Sequence, residues 1–438
     1  MTQTNSKVRE MNPFRSSRKG SEKREKNRRI MTTGHLDAQL IHLGSKKPAG
    51  QPAASVFAPR GTSCKEEMDV THSSTHVDVR PLIRRPMKGA DKGDRRRRLA
   101  FISVRQTPDA LLDSYCLRKT LFVIICALAT AYASKEWEDF KTKYGKTYAN
   151  PVDEQYRESV FQDKLEYIEE TNKLYEKGLL TYYLKINKYS DLTHKELMDQ
   201  MTGGLYMRTA PPKDTPSEVS VEGLAEEVDW RAKGAVSPVK DQGECGSCYA
   251  FSAVSSLESM LFIKTGQLVD LSEQNLVDCA SDYSCFGCRG GFPYGAYIFL
   301  MDQGGIATEE SYPYAGAEQD CMFDAASVGA VVKSYVEPTS ESKLQQAVHD
   351  DGPVSVYIDA NHPTFGSYGG GVYIEPNCDS LNANLAVSVV GYGVENGLEY
   401  WLVRNAWGES WGEEGYIKMA KNAGNMCAIS THAIYPVV

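Results

Sequence analysis

The second half of this chain is poor in basic residues and in histidine. Residues 225–438 carry 10 Lys+Arg against 28 Asp+Glu, and their only histidines are His349, His362 and His432. Because nucleic-acid phosphates are bound through Lys and Arg, this composition argues against a nucleic-acid partner. The acidic charge suits a soluble domain. It is either an adaptation to function at low pH or a surface that only confers solubility.

Three further features are missing. The apolar run at residues 121–130 has only about ten residues, too few for an ordinary membrane span. Residues 225–438 contain no Asn-x-Ser/Thr glycosylation site. The two CxxC strings, which begin at Cys245 and Cys285, lack the second Cys/His pair that a structural zinc site needs. We therefore expect no metal and no cofactor.

Cysteine, in contrast, is abundant in the second half. Eight of the eleven cysteines lie between residues 245 and 427. Such a density is typical of proteins that fold in an oxidising compartment and form disulfides. It favours the secretory pathway, with an extracellular or a lysosomal destination.

The first 133 residues form two segments that precede the folded part. Residues 1–117 carry 24 Lys+Arg against 12 Asp+Glu, and we interpret them as a disordered basic extension, or as the product of a mistaken gene model or an upstream start. Residues 118–133 combine a basic start, an apolar core and a small-x-small end at Ala131 to Ala133, which is the pattern of a signal peptide. An uncleaved anchor is the alternative if the extension is translated.

Residues 134–224 make up the next segment. Aromatic and aliphatic residues recur at helical spacing through residues 134–200, and this period predicts helices. Residues 201–224 hold paired glycines and paired prolines among polar residues. That composition is typical of a linker that a protease can cut.

Residues 225–438 change from a helical pattern to a strand pattern. Residues 248–264 predict an amphipathic helix that ends at Gly266, and Ser272 is the expected N-cap of a second helix. Beyond residue 330, short runs of β-branched and aromatic residues predict strands. We therefore predict an α+β fold, with a cleft between the two halves that suits a peptide.

Residues 242–252, Gln-Gly-Glu-Cys-Gly-Ser-Cys-Tyr-Ala-Phe-Ser, carry the strongest functional signal. Cys248 lies where a helix begins, and the N–H groups and dipole there stabilise a thiolate, the nucleophilic form of cysteine. The Cys248 backbone N–H and the Gln242 side chain suit the oxyanion of an acyl-transfer intermediate. A buried structural cysteine is the alternative interpretation.

This string resembles the nucleophile loop of the papain family of cysteine peptidases, in its cathepsin L-like branch, and the resemblance extends over about residues 135–438. It implies a two-domain fold: an α-helical left half and an antiparallel, β-barrel-like right half enclose the active-site cleft. The peptidase domain would span residues 225–438, behind a helical inhibitory propeptide at residues 134–224.

The resemblance also implies roles for individual residues. Cys248 would be the nucleophile, Gln242 an oxyanion donor and Asn405 the residue that orients the catalytic histidine. Gly290 and Gly291 would pair with the substrate backbone. Further residues would line the substrate cleft or form disulfides: Trp407, Ala386 and Tyr357 for the cleft, and Cys245–Cys288, Cys279–Cys321 and Cys378–Cys427 for the disulfides.

Several positions depart from this scheme or leave two interpretations open. Cys285 is left over, either as a free thiol or as a competitor of Cys288 for Cys245. Many relatives have a small residue where Tyr357 stands, so this tyrosine either shrinks the second specificity pocket or packs in the core. In the propeptide, Asp153, Lys164 and Tyr189 replace the usual Glu, Asn and Phe of the family motifs.

The catalytic histidine that the resemblance implies is missing. In the family it stands six residues before the first glycine of a Gly-Tyr-Gly string. Here that glycine is Gly391, so Leu385 occupies the histidine position. Leucine neither accepts nor donates a proton, which leaves the thiol without its general base. We interpret His349, His362 and His432 as solvated or hydrogen-bonded surface residues.

Two functions remain in competition. The first is a secreted or lysosomal preproprotein that has lost most or all peptidase activity and acts by binding peptides, cystatin-like inhibitors or other partners. The second is an active papain-type endopeptidase that hydrolyses proteins with a substitute base. A sequence error at Leu385 is a third explanation. Under either function we expect a monomer, with its own propeptide as a ligand of the cleft.

Overall fold

The computed structural model describes residues 135–203, 207–208 and 218–438. The predicted extension, the predicted signal peptide and much of the predicted linker lie outside these residues. The helices of the described part are α1 (135–144), α2 (Pro151–Glu176), α3 (His194–Thr202), α4 (Cys248–Thr265), α5 (Glu273–Cys279), α6 (Pro293–Gln303), α7 (Glu341–Asp350) and α8 (Pro363–Gly366). None of the helices described is long and apolar enough to cross a membrane.

The strands of the described part are short, except for two near the end of the chain. They are β1 (Tyr182–Leu184), β2 (Met207–Arg208), β3 (Val228–Asp229), β4 (Ile306–Ala307), β5 (Val328–Ala330), β6 (Ser334–Val336), β7 (Val354–Ile358), β8 (Tyr368–Tyr373), β9 (Asn382–Ala383), β10 (Leu385–Glu395), β11 (Leu398–Arg404), β12 (Tyr416–Ala420) and β13 (Ala433–Val437). Nine of them form one sheet, which joins strands from both the propeptide and the peptidase segment.

The first two helices form a small core of their own. The Asn150 side chain caps α2 by accepting hydrogen bonds from the backbone of Val152 and Asp153. Phe161 on α2 packs against Trp137 and Phe140 on α1, with ring centroids 5.4 and 4.7 Å apart. This aromatic cluster explains why the helical period is so clear in this part of the sequence.

The prediction of helix throughout residues 134–200 is wrong at Tyr182–Leu184. These residues form β1, which pairs antiparallel with β8 at the edge of the large sheet. The Asn172 side chain fixes the strand, because it accepts from the Leu184 N–H at 2.8 Å and donates to the Leu184 carbonyl at 2.9 Å. Three residues are too few for an alternating pattern to show in the sequence, and the pairing depends on a partner strand far along the chain.

Helix α4 is the central element of the peptidase segment. Its bounds, Cys248–Thr265, agree with the predicted helix, and Gly266 ends it with a φ of 75°. The prediction that it is amphipathic is wrong, because every residue from Cys248 to Met260 is buried. A helix enclosed by a sheet on one side and by other helices on the other has no solvent-facing stripe.

The large sheet runs in the order β1-β8-β12-β11-β10-β7-β13-β6, with β3 added beside β10. The α+β class is confirmed. The pairing is antiparallel except between β8 and β12, which run parallel. The right half of the fold was predicted to be antiparallel, and this parallel pair differs from that prediction. β10 pairs with β11, β7 and β3 and packs against α4, so it brings its first residues next to the start of that helix.

Candidate active site

The loop before Cys248 is held at several points. Cys245 forms a disulfide with Cys288, and the Gly246 N–H donates to the Cys288 carbonyl at 2.9 Å. The Gln242 N–H donates to the carbonyl of Ala406 at 2.9 Å. These bonds join the loop to both walls of the cleft and present Cys248 as the first residue of α4.

The thiol of Cys248 is buried and lacks a cationic partner. Its residue is 2% exposed. Burial raises the pKa of Cys248 to about 11, and hydrogen bonds from the backbone of Ala386, Tyr249 and Cys248 itself offset part of this rise. No charged side chain of the described residues is among the groups that shift this pKa. Burial therefore outweighs the helix terminus, and the thiol is neutral in this state of the protein.

Leu385 immediately precedes a residue of β10 that contacts this thiol. It is the first residue of that strand, is fully buried and pairs with Ile358 of β7. The N–H of the next residue, Ala386, reaches the Cys248 sulfur. An alkyl side chain, which neither accepts nor donates a proton, therefore stands one residue from the backbone group that contacts the thiol.

The Asn405 side chain is only partly used. Its Oδ1 accepts from the Ala406 N–H at 2.8 Å, while its Nδ2 is buried without a hydrogen-bond partner among the described residues. The indole Nε1 of Trp407 is likewise buried and has no hydrogen-bond partner among the described residues. An unsatisfied buried donor costs about 1–3 kcal/mol, and neither of these two donors meets an acceptor within the described residues.

The propeptide covers the candidate oxyanion site. The Gln242 Nε2 donates to the Met201 carbonyl at 2.8 Å and to the Cys245 carbonyl at 2.7 Å. Met201 belongs to α3 and is fully buried. The amide expected to bind an oxyanion is therefore occupied by a carbonyl of the chain's own propeptide.

The propeptide then crosses the cleft at Gly203. A Cβ atom at this residue would lie 2.2 Å from the carbonyl carbon of Arg289 and 2.4 Å from the nitrogen of Gly290, and its φ is +63°. Only glycine combines this backbone conformation with such a close approach. Beyond it, β2 pairs antiparallel with β9 on the other side of the cleft.

The remaining predicted cleft residues lie around the same groove. Tyr357 on β7 is directly opposite Ala386 on β10, and its hydroxyl donates to the Gly291 carbonyl. Trp407 is fully buried and packs its ring 5.4 Å from Trp411. The hydroxyl of Tyr189, from the propeptide, donates to the Trp407 carbonyl at 3.2 Å, so this wall is covered as well.

Two of the three histidines of the peptidase segment lie beside a carboxylate. His349 Nδ1 lies 2.6 Å from Asp350 on the end of α7. His362 Nε2 lies 3.1 Å from Asp359, whose carboxylate raises the pKa of the imidazole. His432 departs from the surface prediction in part: the residue is half-buried, burial lowers its pKa, and its Nε2 is buried without a partner in the described structure.

His432 is also the cleft residue that the sequence interpretation missed. It lines a cavity of about 130 Å³ together with Tyr294, Tyr357 and Thr431. Because His432 is only six residues from Val438, the sequence interpretation placed it on the surface near the end of the chain. The strand β13 that follows it, however, is anchored between β7 and β6, and the Tyr357 N–H donates to the His432 carbonyl at 3.3 Å.

The described cysteines form three disulfides and leave two free thiols. The disulfides are Cys245–Cys288, Cys279–Cys321 and Cys378–Cys427. Cys248 and Cys285 are free, and burial raises the pKa of Cys285 to about 12. Asp359, His362 and Cys378 have ligand atoms within 4.8 Å of one another. The Cys378 sulfur is bonded to Cys427, however, which leaves two ligands and no sufficient set for a metal.

Comparison with known proteins identifies the class of protein that this fold and site define. Residues 224–437 match the papain family cysteine protease domain, and residues 137–197 match the cathepsin propeptide inhibitor domain. Digestive cysteine proteinase 1 of Homarus americanus is 48% identical over 323 residues, which cover 73% of this chain and 100% of that protein. This chain therefore belongs to the papain family of cysteine proteases.

Its relatives are proteins of the cathepsin L type. Cathepsin L of Sarcophaga peregrina is 43% identical over 345 residues, which cover 74% of this chain and 100% of that protein. The solved structure of digestive procathepsin L 3 from Tenebrio molitor larval midgut has 38% identity and a TM-score of 0.64, over 70% of this chain and 99% of that one. The predicted family and papain-like fold with a helical propeptide are thus confirmed.

Proposed function

We propose that this chain is a preproprotein of the secretory pathway whose mature part binds peptides or protein partners and has lost most or all peptidase activity. The observation that carries the proposal is Leu385, which stands six residues before Gly391, where we expect the family's histidine, and precedes the residue whose N–H reaches the Cys248 sulfur. By analogy with serine-protease triads, loss of the general base costs about 10⁴ to 10⁶ in kcat. Cys248 and Gln242 would then serve as parts of a binding cleft.

Two further observations support this proposal. The Asn405 Nδ2 has no partner in the described part of the chain, although such an amide in an active relative would be needed to orient a ring. Burial raises the pKa of Cys248 to about 11, and no cation counteracts it. A thiol of this kind is a poor nucleophile, because the thiolate is the reactive form.

The ligands that we propose follow from the cleft. Peptides and cystatin-like inhibitors would enter the groove that the propeptide now occupies, once the linker between residues 201 and 224 has been cut. The protein would then act as a binding partner or as a decoy for an inhibitor. The signal peptide at residues 118–133 and the propeptide at residues 134–224 would be removed. The mature part, which begins at residue 225, would then be secreted.

An active endopeptidase is the second candidate, favoured by the digestive proteinases among the relatives. It requires a base that reaches the Cys248 thiol. His349 and His362 are each paired with a carboxylate, and His432 faces the cavity beside Tyr357. A water molecule would have to take over the proton transfer.

Labelling and turnover separate the two candidates. The full chain is folded, cut in the linker by an added protease and exposed to an epoxide-type inhibitor and, separately, to a fluorogenic peptide. We expect neither labelling nor turnover, while a cystatin-like inhibitor still binds in calorimetry. Labelling that is lost in Cys248→Ala, together with a bell-shaped pH profile of turnover, would contradict the proposal.

A further inference from the structure

A tyrosine side chain spans the cleft beside the candidate nucleophile. Tyr357 extends from β7 on the sheet side, and its hydroxyl donates to the Gly291 carbonyl on the helical side. The residue is only 5% exposed, and its ring packs against Phe292 with centroids 5.8 Å apart. This bond joins the two walls of the groove, which an extended ligand would have to separate.

The position of this bond relative to Cys248 is well defined. Tyr357 lies opposite Ala386 in the β7–β10 register, and the Ala386 N–H reaches the Cys248 sulfur. Burial raises the pKa of Tyr357 well above its usual value, and the nearby Cys248 thiol raises it further. The tyrosine therefore lies one strand away from the residue that contacts the thiol, on the side of the cleft where Gly291 stands.

The glycine segment that accepts the bond is itself fixed. The Gly290 carbonyl accepts from the Phe286 N–H at 2.8 Å, and Gly291 forms a bridge with Cys285. A Cβ at Gly291 would lie 3.0 Å from the Tyr249 ring, so one face of this residue is already covered. On the cleft side, the Gly291 carbonyl is the acceptor that a ligand backbone could use, and the Tyr357 hydroxyl already donates to it.

The chain's own propeptide is accommodated without this carbonyl. At Gly203 it passes beside Arg289 and Gly290, and its next described residues, Met207–Arg208, pair with β9 on the sheet side. The native occupant of the cleft thus leaves the Tyr357–Gly291 bond in place. A peptide that pairs with Gly291 must break it.

We propose that Tyr357 closes the Gly291 side of the cleft, so that the mature domain rejects peptides whose backbone runs past Cys248 along Gly290–Gly291. Ligands that the closed cleft accepts reach Cys248 without pairing to Gly291. When the tyrosine side chain turns away, the groove joins the cavity of about 130 Å³ that contains His432. The inference rests on the proposed function only in treating this groove as the ligand-binding cleft.

The test compares two reagents that alkylate Cys248. Iodoacetamide is small, whereas an N-blocked dipeptidyl chloromethyl ketone places two residues along the Gly291 segment. The full chain is folded, cut in the linker and freed of its propeptide by gel filtration at acidic pH. For each protein, the rate constant with the ketone is divided by the rate constant with iodoacetamide. Dividing this ratio by the same ratio for N-acetylcysteine removes the intrinsic reactivity of the thiol from the comparison.

We expect a normalised ratio near one for the unaltered chain and at least about tenfold higher for Tyr357→Ala, as the Gly291 carbonyl and the pocket become available. Tyr357→Phe keeps the ring and removes the bond, so its ratio should rise by a few-fold. Tyr435→Phe, which removes a tyrosine hydroxyl bound to Asp351, is the matched control and should leave the ratio unchanged.

A high ratio in the unaltered chain would overturn the inference. Equal ratios in the unaltered chain, Tyr357→Ala and Tyr357→Phe would also overturn it. If Tyr357→Ala does not fold, the ratio for Tyr357→Phe is compared with that of the unaltered chain instead. Turnover of a fluorogenic peptide by the unaltered chain is recorded separately. Such turnover would contradict the proposed loss of peptidase activity, while the ratio would still report on Tyr357.

Discussion

A single side chain determines how the candidate site is understood. Counting back from Gly391 identifies Leu385 from the sequence, and the structure places the next residue in contact with the Cys248 thiol. The sequence could not show that Asn405 retains a buried Nδ2 without a partner in the described structure. Nor could it show that burial at Cys248 outweighs the helix terminus, because burial depends on the propeptide and on β10 together.

The ionisation of Cys248 provides a prediction at this scale. We expect the thiolate to form with a pKa near 11 in the proform, since burial favours the neutral thiol and no cation opposes it. The thiolate therefore accumulates only as the pH rises through that value. The ultraviolet absorbance of the thiolate, measured as the difference between the chain and Cys248→Ala during a pH titration, provides the test. Thiolate absorbance at neutral pH would contradict it.

Among the elements, the sequence predicted best where the pattern is long. α4 was predicted within a residue of its observed end, and strands were expected beyond residue 330, because periodicity and capping glycines are local signals. β1 was predicted as helix, since its stability comes from β8 and from Asn172. The sequence assigned Gly203 to a linker, and its contact with Arg289 became visible only in the folded chain.

Gly203 provides a prediction about the docking of α3. Gly203→Ala would place a Cβ 2.2 Å from the Arg289 carbonyl carbon, in addition to the cost of its φ of +63°. We expect α3 to leave the cleft more often, which should appear as at least about tenfold faster amide hydrogen exchange in α3. The measurement is hydrogen exchange on the proform, read out by mass spectrometry.

The matched control is Gly178→Ala. This glycine has a φ of +68° and nothing within 4 Å of an added Cβ. The left-handed conformation alone should cost it about 1–2 kcal/mol of stability, with no effect on exchange in α3. Equal exchange in α3 for the two variants would show that the close contact at Gly203 does not hold the propeptide.

On the scale of the whole molecule, composition and motifs predicted the family, the fold class and a propeptide that covers its own cleft. The sheet could not be predicted in full, because it combines β1 from the propeptide with β3 and the later strands. Its parallel β8–β12 pair and the closure of the groove by Tyr357 depend on residues distant in sequence. Such pairings lie beyond local patterns.

The whole precursor provides a prediction about processing. We expect the purified proform to remain uncut on acidification, because Leu385 stands where we propose the general base is lost and no charged side chain of the described residues shifts the pKa of Cys248. An added protease should cut it between residues 201 and 224. Gel electrophoresis over time is sufficient, with Cys248→Ala as the reference. Recovery of a mature form from the unaltered chain, but not from Cys248→Ala, would contradict the expectation.

The most direct test of the central claim is the Leu385→His substitution, which would supply the base that we propose is lost. The chain and its Leu385→His variant are folded, cut in the linker by an added protease and assayed with a fluorogenic dipeptide substrate at mildly acidic pH. We expect the variant to exceed the unaltered chain by about 10³-fold or more in kcat/KM, and the gain to disappear in Leu385→His combined with Cys248→Ala. Activity of the unaltered chain close to that of Leu385→His would contradict the account.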